Sequence, residues 1–397
     1  MKIATLLVVA LLPLMSSIVR LDAAHPQLSF LLPAWLARFG ATAIVALLLG
    51  VALVEVAKRT PLAPTYRAGV VFGCAALLGS VLGFDPLPGI VAGVAFISVP
   101  LWGNALLRIA ASEPGAWRPY LVVLLWSGIA TCAIALVAVA ARTPPELYAF
   151  AHGRAIGVFE NPNELALYAL AIAAAGIGAA LGDRRLRALG IAALCVATVT
   201  LAATGSRAGE AAYAIGAIVM LASLRPRRSV VWLTLLVAVV GIGLAFGLDR
   251  RHNPAENDSR LAAWRAGVRT VATFPLTGTG VGAYYRTYPF LRPPDAPGPS
   301  DPIAFDPHDF YLSVAAETGL LGLGTMLLAA LTFARDVRSA LVSAAQPARR
   351  IAAALLAGLV AVACHMVFNG FALCIPIWAV LGALAVAVPR SGYGRVP

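Results

Sequence analysis

The chain has 397 residues, of which 60% are apolar or aromatic and only 12% are charged, and its mean hydropathy is +0.85. An ordinary soluble domain is about a quarter charged, so this composition excludes a soluble globular protein and indicates a polytopic membrane protein. The formal net charge of +12 does not indicate a nucleic-acid-binding protein, because such a protein carries its basic residues on one solvated face. Here they stand in small groups between apolar runs.

Apolar runs of helical length recur along the whole chain. A helix needs about 20 residues to cross a hydrocarbon core of about 30 Å, so we predict an all-α fold with about twelve transmembrane helices. The predicted spans are Ile3 to Val19, Ala41 to Ala57, Ala68 to Gly83, Gly89 to Leu107, Leu121 to Ala141, Glu164 to Leu181, Ala188 to Thr204, Ala208 to Leu224, Ser229 to Leu248, Tyr311 to Ala334, Ile351 to Phe368 and Phe371 to Pro389. The glycines and prolines between Ala68 and Leu107 leave open a single re-entrant segment in place of two spans.

Lys and Arg residues are divided unevenly between alternate connections of these spans. One set of connections, which includes both chain ends, is rich in basic residues. The other set, apart from one long stretch, holds only Arg20, Arg38, Arg142, Arg154 and Arg207. Because cytoplasmic loops retain positive charge, we predict that both termini are cytoplasmic. The long stretch Asp249 to Phe310 then lies outside, and its own arginines do not contradict this, since long translocated segments largely escape the rule.

The first segment has two interpretations. Met1 to Ala24 has Lys2 before an apolar core and ends in the small residues Ala23 and Ala24. This pattern is typical of a cleaved signal peptide as well as of a first span. Both interpretations stay open, and removal of the segment would leave the parity of every later span unchanged.

Ionisable residues are scarce deep inside the predicted spans. Glu55, Glu164, Glu210 and Glu317 lie within a turn or two of span ends, and His365 is the chief deep exception. We interpret His365, which stands in an apolar run, as a packing residue. Transporters and channels place ionisable groups along the path of their substrate. The sequence therefore disfavours a conduction path and favours chemistry at the outer surface.

The tightest connection in the chain places an arginine at the outer membrane boundary. Thr204 to Glu210 joins the seventh and eighth spans with almost no loop and contains Arg207. Two interpretations are open: an arginine that only marks the interface, or a guanidinium that binds a phosphate through its planar fork. Gly205 and Gly209 favour the second, because glycine lets a phosphate approach the backbone closely.

Within the outer stretch, Ser259 to Phe274 is predicted to form a helix at the membrane surface. Its apolar residues at helical spacing are Leu261, Trp264, Val268 and Val271. Arg265 and Arg269 share the other face, and Arg260 falls in the predicted first turn, where free helix amides would reinforce anion binding. The helix either only anchors the stretch, with Trp264 at the interface, or also binds a ligand.

His308 comes just before the apolar run Tyr311 to Ala334, so we expect it at the outer edge of the membrane. Asp306 and Asp309 stand beside it and would orient its ring, as a general base requires. A solvated loop histidine is the alternative interpretation.

Other motifs point away from nucleotide and metal chemistry. Gly278 to Gly282 matches neither a phosphate-binding P-loop nor a dinucleotide fingerprint, and we interpret it as a turn that returns the chain to the membrane. No Asp-x-Asp pair and no spaced set of His, Asp and Glu residues occurs in the sequence. We therefore predict neither a catalytic metal nor a cofactor.

Four segments, in their order and spacing, resemble the O-antigen ligase and polymerase superfamily. They are Gly157 to Glu164, Thr204 to Arg207, Ser259 to Trp264 with Phe274 to Gly280, and His308 to Leu312 with Glu317 to Leu320. The resemblance covers roughly Gly157 to the C-terminus. Members commonly have His-Asn where this chain has His308-Asp309, which leaves the imidazole in place and changes its neighbour.

The resemblance implies a metal-independent glycosyltransferase with a GT-C-like helical fold at the outer face of the bacterial inner membrane. Such ligases move a preassembled polysaccharide from undecaprenyl diphosphate to a sugar hydroxyl of lipid A-core, with inversion of the anomeric centre. His308 would take the acceptor proton, and Arg207 with Arg260 or Arg265 would bind and stabilise the leaving diphosphate. Further residues expected to contact substrate are Asn163, Trp264 and Asp309.

The predicted organisation has three parts. Residues 1–248 carry nine transmembrane helices, residues 249–310 form a periplasmic loop domain with short helices, and residues 311–397 carry three more transmembrane helices and a cytoplasmic tail. The expected partners are the lipid-linked donor, the lipid A-core acceptor and membrane lipids, without nucleic acid. An O-antigen polymerase or a protein O-oligosaccharyltransferase of the same superfamily is the first alternative, and a lipid-linked saccharide transporter is an alternative of another class.

Overall fold

The computed structural model describes residues 1–14, 34–145, 148, 151–159, 161–224, 254–294, 296, 298, 306–370 and 373–394, with the side chains of 34–42 and 254–258 left aside. The predicted ninth span, Ser229 to Leu248, lies outside the described residues, as does the Ala23-Ala24 end of the first segment.

The described residues form helices and no strand. The helices are α1 (Lys2–Ala10), α2 (Ala34–Ala57), α3 (Pro64–Val81), α4 (Pro86–Ala110), α5 (Arg118–Ala141), α6 (Pro162–Gly182), α7 (Arg187–Thr204), α8 (Arg207–Leu224), α9 (Pro254–Thr273), α10 (Tyr284–Leu291), α11 (Phe310–Ser343), α12 (Gln346–His365) and α13 (Cys374–Arg390). A short 3₁₀ turn, Met366–Phe368, continues α12.

Seven of the described helices are long and apolar enough to cross a membrane: α4, α5, α6, α7, α8, α11, and α12 with its 3₁₀ turn. The all-α class and the multi-pass membrane class are thereby confirmed. Between Ala68 and Leu107 the structure has two helices, α3 and α4, of which α4 is one of these seven. They pack closely because Gly69 and Gly73 face Pro100 and Ile97, where an added Cβ would stand 2.9 Å and 2.8 Å from the neighbouring atoms.

Helix α6 forms the centre of the bundle, and almost all of its residues are buried. It packs against α7 and α12 through small residues. At Gly176 and Gly190 the backbones of α6 and α7 nearly touch, since a Cβ on either glycine would lie within 2.7 Å of the carbonyl oxygen of the other. In lipid there is no hydrophobic driving force between apolar helices, so the free energy of their association comes from dispersion contacts. Close approach of the backbones increases these contacts.

Contacts between connections divide the bundle into two ends. At one end, which carries most of the basic residues, the contacts are Arg108 with Glu55, Arg118 with Asp183, Arg390 with Asp336, and Tyr393 with Gly182. At the other end, the contacts are Phe84 with Thr279, Arg154 with Thr204, Ser206 with His365, and Gly370 with Asp306. We call these the basic end and the polar end. They hold the two sets of connections that the charge count distinguishes.

Candidate active site

The end of α12 is the place at the polar end where the predicted site segments meet. His365 is the last residue of α12, and residues 365–370, which we call the His365 turn, lead out of it. His365 is completely buried. Its predicted position deep in a span was wrong, because it lies at the end of its helix. Its complete burial agrees with the interpretation as a packing residue, and Ser206 and Asn369 give its ring polar neighbours as well.

Arg207 begins α8 immediately beside this turn. The connection from α7 is short because Gly205 adopts a left-handed conformation, with φ +56°, which glycine reaches without steric cost. The buried Ser206 hydroxyl accepts a hydrogen bond from the backbone N–H of Gly209 at 3.2 Å and so caps α8. Its Oγ lies 3.5 Å from Nε2 of His365. The N-terminus of α8, and with it Arg207, is thereby held against the His365 turn.

A second arginine lies at the same connection. Nε of Arg154 donates to the carbonyl oxygen of Thr204 at 2.6 Å, and Nη2 donates to Oδ1 of Asn163 at 3.1 Å. Asn163 is buried in the first turn of α6, where Asn161 caps the helix through the N–H of Asn163 at 2.8 Å. Asn163, predicted to contact substrate, thus holds Arg154 in this structure. From the sequence, Arg154 was predicted only to be one of the few basic residues on the outer connections.

Helix α9 brings Arg260 to the His365 turn from another side. Nη1 of Arg260 lies 3.5 Å from the carbonyl oxygen of Phe368, and its charge acts on the imidazole of His365. The Trp264 ring, one turn further along α9, packs on Phe368 with ring centroids 6.4 Å apart. Its buried Nε1 has no hydrogen-bond partner among the described residues.

The start of α9 differs from the prediction, and its buried face was not predicted. The helix begins at Pro254 and not near Ser259, so Arg260 lies in its second turn, beyond the free amides of the N-terminus. Leu261 and Val268 are 45% and 60% exposed, as expected for a membrane-facing side. The buried seam is made of the small residues Ala262, Ala263, Ala266 and Thr270.

Arg265 and Arg260 point to different sides of α9. Five residues at 3.6 per turn place the two side chains roughly 140° apart around the helix axis. Arg265 is exposed, and so is Arg269, whose Nη1 donates to the carbonyl oxygen of Leu291 at 3.3 Å. Of the two predicted alternatives, Arg260 is the one whose guanidinium contacts the His365 turn.

His308 approaches the turn through Asp306. Oδ1 of Asp306 accepts the backbone N–H of His308 at 2.5 Å and lies 3.8 Å from Nδ1 of its ring. The same Oδ1 packs on Gly370, where an added Cβ would stand 2.7 Å from it. His308 adopts a left-handed backbone conformation, with φ +53°, which is uncommon for a residue with a side chain. Its Nε2 is buried and has no hydrogen-bond partner among the described residues.

Asp309 has a role different from the one predicted. It was expected to flank the imidazole with Asp306, but its carboxylate caps α11 by accepting the N–H of Leu312 at 2.9 Å. Burial raises the pKa of the Asp309 carboxyl above its ordinary value, against the hydrogen bonds from Leu312 and Tyr311, which lower it. Of these two carboxylates, Asp306 is the one that faces the His308 ring.

The glycine-rich turn fixes the beginning of α11. The N–H groups of Thr279 and Gly280 donate to the carbonyl oxygens of Ala316 and Glu317 at 3.0 Å and 2.9 Å. These bonds form just before Gly319, where α11 leaves helical geometry with φ +67°. The turn also contacts α3, since the N–H of Val281 donates to Ser80 Oγ at 3.2 Å. The turn thus connects α3 to α11, whose first residues follow His308.

An apolar cavity of about 350 Å³ opens beside the site, between α3, α4, α11, α12 and α13. It extends from Thr65 near the basic end to Phe310, Tyr311 and Ala363 near the polar end. The hydroxyl of Tyr311 donates to the carbonyl oxygen of Ala363 at 2.8 Å, which joins the start of α11 to the end of α12. The cavity therefore ends next to residues that adjoin His308 and His365.

Metal ligands are not grouped in the part of the chain that the structure describes. There, no three or more His, Cys, Asp or Glu side chains lie close enough to hold a metal ion.

Residues 191–327 match the sequence model of a family described as O-antigen ligase. This match confirms the family resemblance, and the matched range contains Arg207, Arg260, Trp264, Arg265 and His308. No curated protein matches the chain. The match does not reach the segment Gly157 to Glu164, whose resemblance stays a prediction.

Proposed function

We propose that this protein is an O-antigen ligase, because residues 191–327 match the model of a family described by that name. It would move polysaccharide from undecaprenyl diphosphate to a sugar hydroxyl of lipid A-core, with inversion and without a metal. The observation that carries the proposal is the convergence of three predicted segments on the His365 turn. Ser206 next to Arg207, Arg260 itself, and Asp306 beside His308 all contact it.

His308 and the two arginines have complementary roles in this reaction. The acceptor hydroxyl loses its proton to Nε2 of His308 while its oxygen attacks the anomeric carbon. The bond from that carbon to the diphosphate oxygen breaks, and the electron pair leaves with the diphosphate. Arg207 and Arg260 stabilise this growing negative charge through charge-assisted hydrogen bonds, which are strongest where water is excluded. An unpartnered buried nitrogen is a group that a substrate hydroxyl would satisfy.

A transfer assay tests the reaction class. Purified protein is incubated with lipid-linked polysaccharide and lipid A-core, with and without a chelator. We expect transfer to core at the same rate in both samples. Strong inhibition by the chelator would contradict a metal-independent reaction. Lengthened donor without transfer to core would indicate a polymerase, transfer to an added acceptor protein would indicate an O-oligosaccharyltransferase, and an unchanged donor that crosses the bilayer would indicate a transporter.

The apolar cavity offers a place for the isoprenoid tail of the donor. It is lined almost entirely by apolar side chains, lies among the membrane-spanning helices, and ends beside the residues that adjoin His308. A tail in this cavity would bring the diphosphate to the polar end, where the arginines lie. Burial of isoprene units there gains roughly 25 cal/mol per Å² of apolar surface only to the extent that the cavity packs them better than lipid does.

Filling this cavity is expected to raise the KM for the natural donor several-fold. Ala330 lines the cavity on α11, so Ala330→Trp would occupy space that the tail needs. A short-tailed donor should be affected less. Val342→Trp on the same helix is the control, since Val342 is 79% exposed and does not line the cavity. Equal KM values for the two variants would mean that the tail lies elsewhere.

The orientation proposal places the polar end in the periplasm and both termini in the cytoplasm, in a twelve-span GT-C-like arrangement in the inner membrane. It is supported by the concentration of arginines at the basic end. Phe290, which is 86% exposed on α10 within the predicted periplasmic loop 249–310, gives a direct test. A Phe290→Cys variant should react with a membrane-impermeant thiol reagent added from the periplasmic side, and reaction only from the cytoplasmic side would reverse the orientation.

A further inference from the structure

His365 has a defined set of hydrogen-bonding neighbours. Its Nε2 lies 3.5 Å from both Ser206 Oγ and Asn369 Nδ2. Asn369 also donates through Nδ2 to the carbonyl oxygen of His365 at 3.1 Å, which identifies the amide nitrogen as the atom that faces the ring. An amide nitrogen can only donate, so Nε2 is the acceptor and the ring proton lies on Nδ1. Ser206 then donates its hydroxyl proton to Nε2 and accepts from Gly209 at 3.2 Å.

Three predicted substrate-binding elements rest on the short segment that His365 begins. Ser206, bonded to the ring, precedes Arg207 at the start of α8. Phe368 meets Arg260 through its carbonyl oxygen. Gly370 packs on Asp306, which orients His308. The spacing of Arg207, Arg260 and His308 does not require direct bonds among them, because each of them, or a residue beside it, contacts the same turn.

The close packing of α8 against α12 holds the His365 turn in a fixed position. Helix α8 packs along α12 at Gly216, where an added Cβ would lie 3.0 Å from the carbonyl oxygen of Ala357. The ring of His365 is fully buried at the top of this contact. Its Nε2 has two polar neighbours, whereas its Nδ1 has no hydrogen-bond partner among the described residues. A buried polar atom that is hydrogen-bonded specifies the arrangement of its neighbours more sharply than an apolar contact does.

We propose that His365 is a positioning residue, whose Nε2 holds Ser206 and Asn369 so that Arg207, Arg260 and His308 keep the spacing needed for transfer. The proposal rests on the proposed function for its kinetic consequence. Misplaced catalytic groups act mainly on the transition state, since about 1 Å of displacement can cost 10²-fold in rate. Loss of the contact therefore lowers kcat and leaves the KM for the donor nearly unchanged.

A pair of conservative variants isolates Nε2. In His365→Gln the amide oxygen reaches the place of Nε2, whereas in His365→Asn the shorter side chain reaches only the place of Nδ1. We expect His365→Gln to keep kcat within a few-fold of wild type, and His365→Asn and His365→Leu to lower it at least tenfold. Leu355→Ala, which removes buried packing from α12 away from the turn, controls for general destabilisation. Its kcat per folded protein should stay at the wild-type value.

Substitutions of Ser206, the contact partner of His365, provide a second test by kcat. Ser206→Ala should lower kcat as His365→Leu does, and the double variant should be no worse than either alone, because both remove one interaction. Ser206→Thr keeps the hydroxyl and should retain activity. Wild-type kcat in His365→Leu, rescue by Asn but not by Gln, or additive losses in the double variant would each overturn the proposal.

A distance measurement separates this proposal from the proposed function. Spin labels at the exposed positions Leu261 on α9 and Ile215 on α8 report the spacing of the two helices without any substrate. We expect one narrow distance distribution in the wild type and in His365→Gln, and a broadened one in His365→Leu. Unchanged distributions in all variants would overturn the positioning role even if transfer occurs. A wild-type protein without transfer activity but with these distributions would refute only the proposed reaction.

Discussion

Replacing His308 with alanine is expected to lower kcat for transfer by roughly 10² to 10⁴-fold, the usual contribution of a positioned general base. The donor KM should change little, because the imidazole acts on the acceptor proton and not on the diphosphate. The physical basis is the state of the ring: Asp306 lies 3.8 Å from Nδ1, and the buried Nε2 has no partner among the described residues. Steady-state rates at saturating donor give the measurement.

His152 provides a matched control for this substitution. It also has a left-handed backbone conformation, with φ +51°, and lies on the connection between α5 and α6, where its side chain is exposed. Alanine at either position removes a histidine from strained backbone, so His152→Ala accounts for any effect of conformation alone. We expect wild-type kcat for His152→Ala. A wild-type rate for His308→Ala would show that another group takes the proton.

Asp306 should contribute less than the ring that it orients. Its carboxylate fixes the His308 backbone at 2.5 Å and faces Nδ1. Removal of such an orienting group leaves the base in place but allows other ring positions, so the loss in kcat should fall well short of the loss in His308→Ala. The neighbouring Asp309 is occupied by the cap of α11, and its replacement should act on stability first.

Composition and the length of the apolar runs allowed the all-helical, multi-pass membrane class to be predicted, because a bilayer imposes a length on every span. Two helix starts carry capping residues that were not used in the prediction: Asn161 caps α6 and Asp309 caps α11. At α9, Pro254 is the first residue, as proline at N1 often is. The helix was predicted from the sequence to begin at Ser259, which is five residues too late.

The centre of the site could not be read from the sequence, since it depends on contacts between distant residues. His365 meets Ser206 across 159 positions, and Arg260 meets Phe368 across 108. A histidine in an apolar run looks the same at the end of a span as in its middle when span ends are uncertain by several residues. Asn369, four residues after His365 and able to bond its carbonyl, was a local signal that the helix ends there, and Gly370 directly after it was another.

Small residues also hid the packing face of α9. Hydropathy patterns give weight to large side chains such as Leu261 and Val268, which face outward as predicted. The seam that packs against the rest of the protein consists of Ala262, Ala263, Ala266 and Thr270. Small side chains such as alanine let helix backbones approach closely, so this less conspicuous face determines where the arginines of α9 point.

Replacing Arg260 with alanine is expected to lower kcat/KM roughly 10- to 150-fold. That range corresponds to the loss of one charge-assisted hydrogen bond, about 1.5 to 3 kcal/mol, at about 1.36 kcal/mol for each factor of ten. Arg207→Ala should have an effect of similar size. Arg260→Lys should recover only part of the loss, because an ammonium keeps the charge but cannot match two phosphate oxygens as the planar guanidinium does.

The same helix supplies controls that decide between the two candidate arginines. Arg265 and Arg269 are exposed and lie on a different side of α9 from Arg260, which contacts the His365 turn. Each alanine substitution removes one positive charge from α9, so a general electrostatic attraction to the anionic donor would affect all three variants alike and would weaken as salt is added. A local contact with the diphosphate would single out Arg260→Ala and resist salt. A large loss in Arg265→Ala with none in Arg260→Ala would place the diphosphate on the other side of the helix, away from His308.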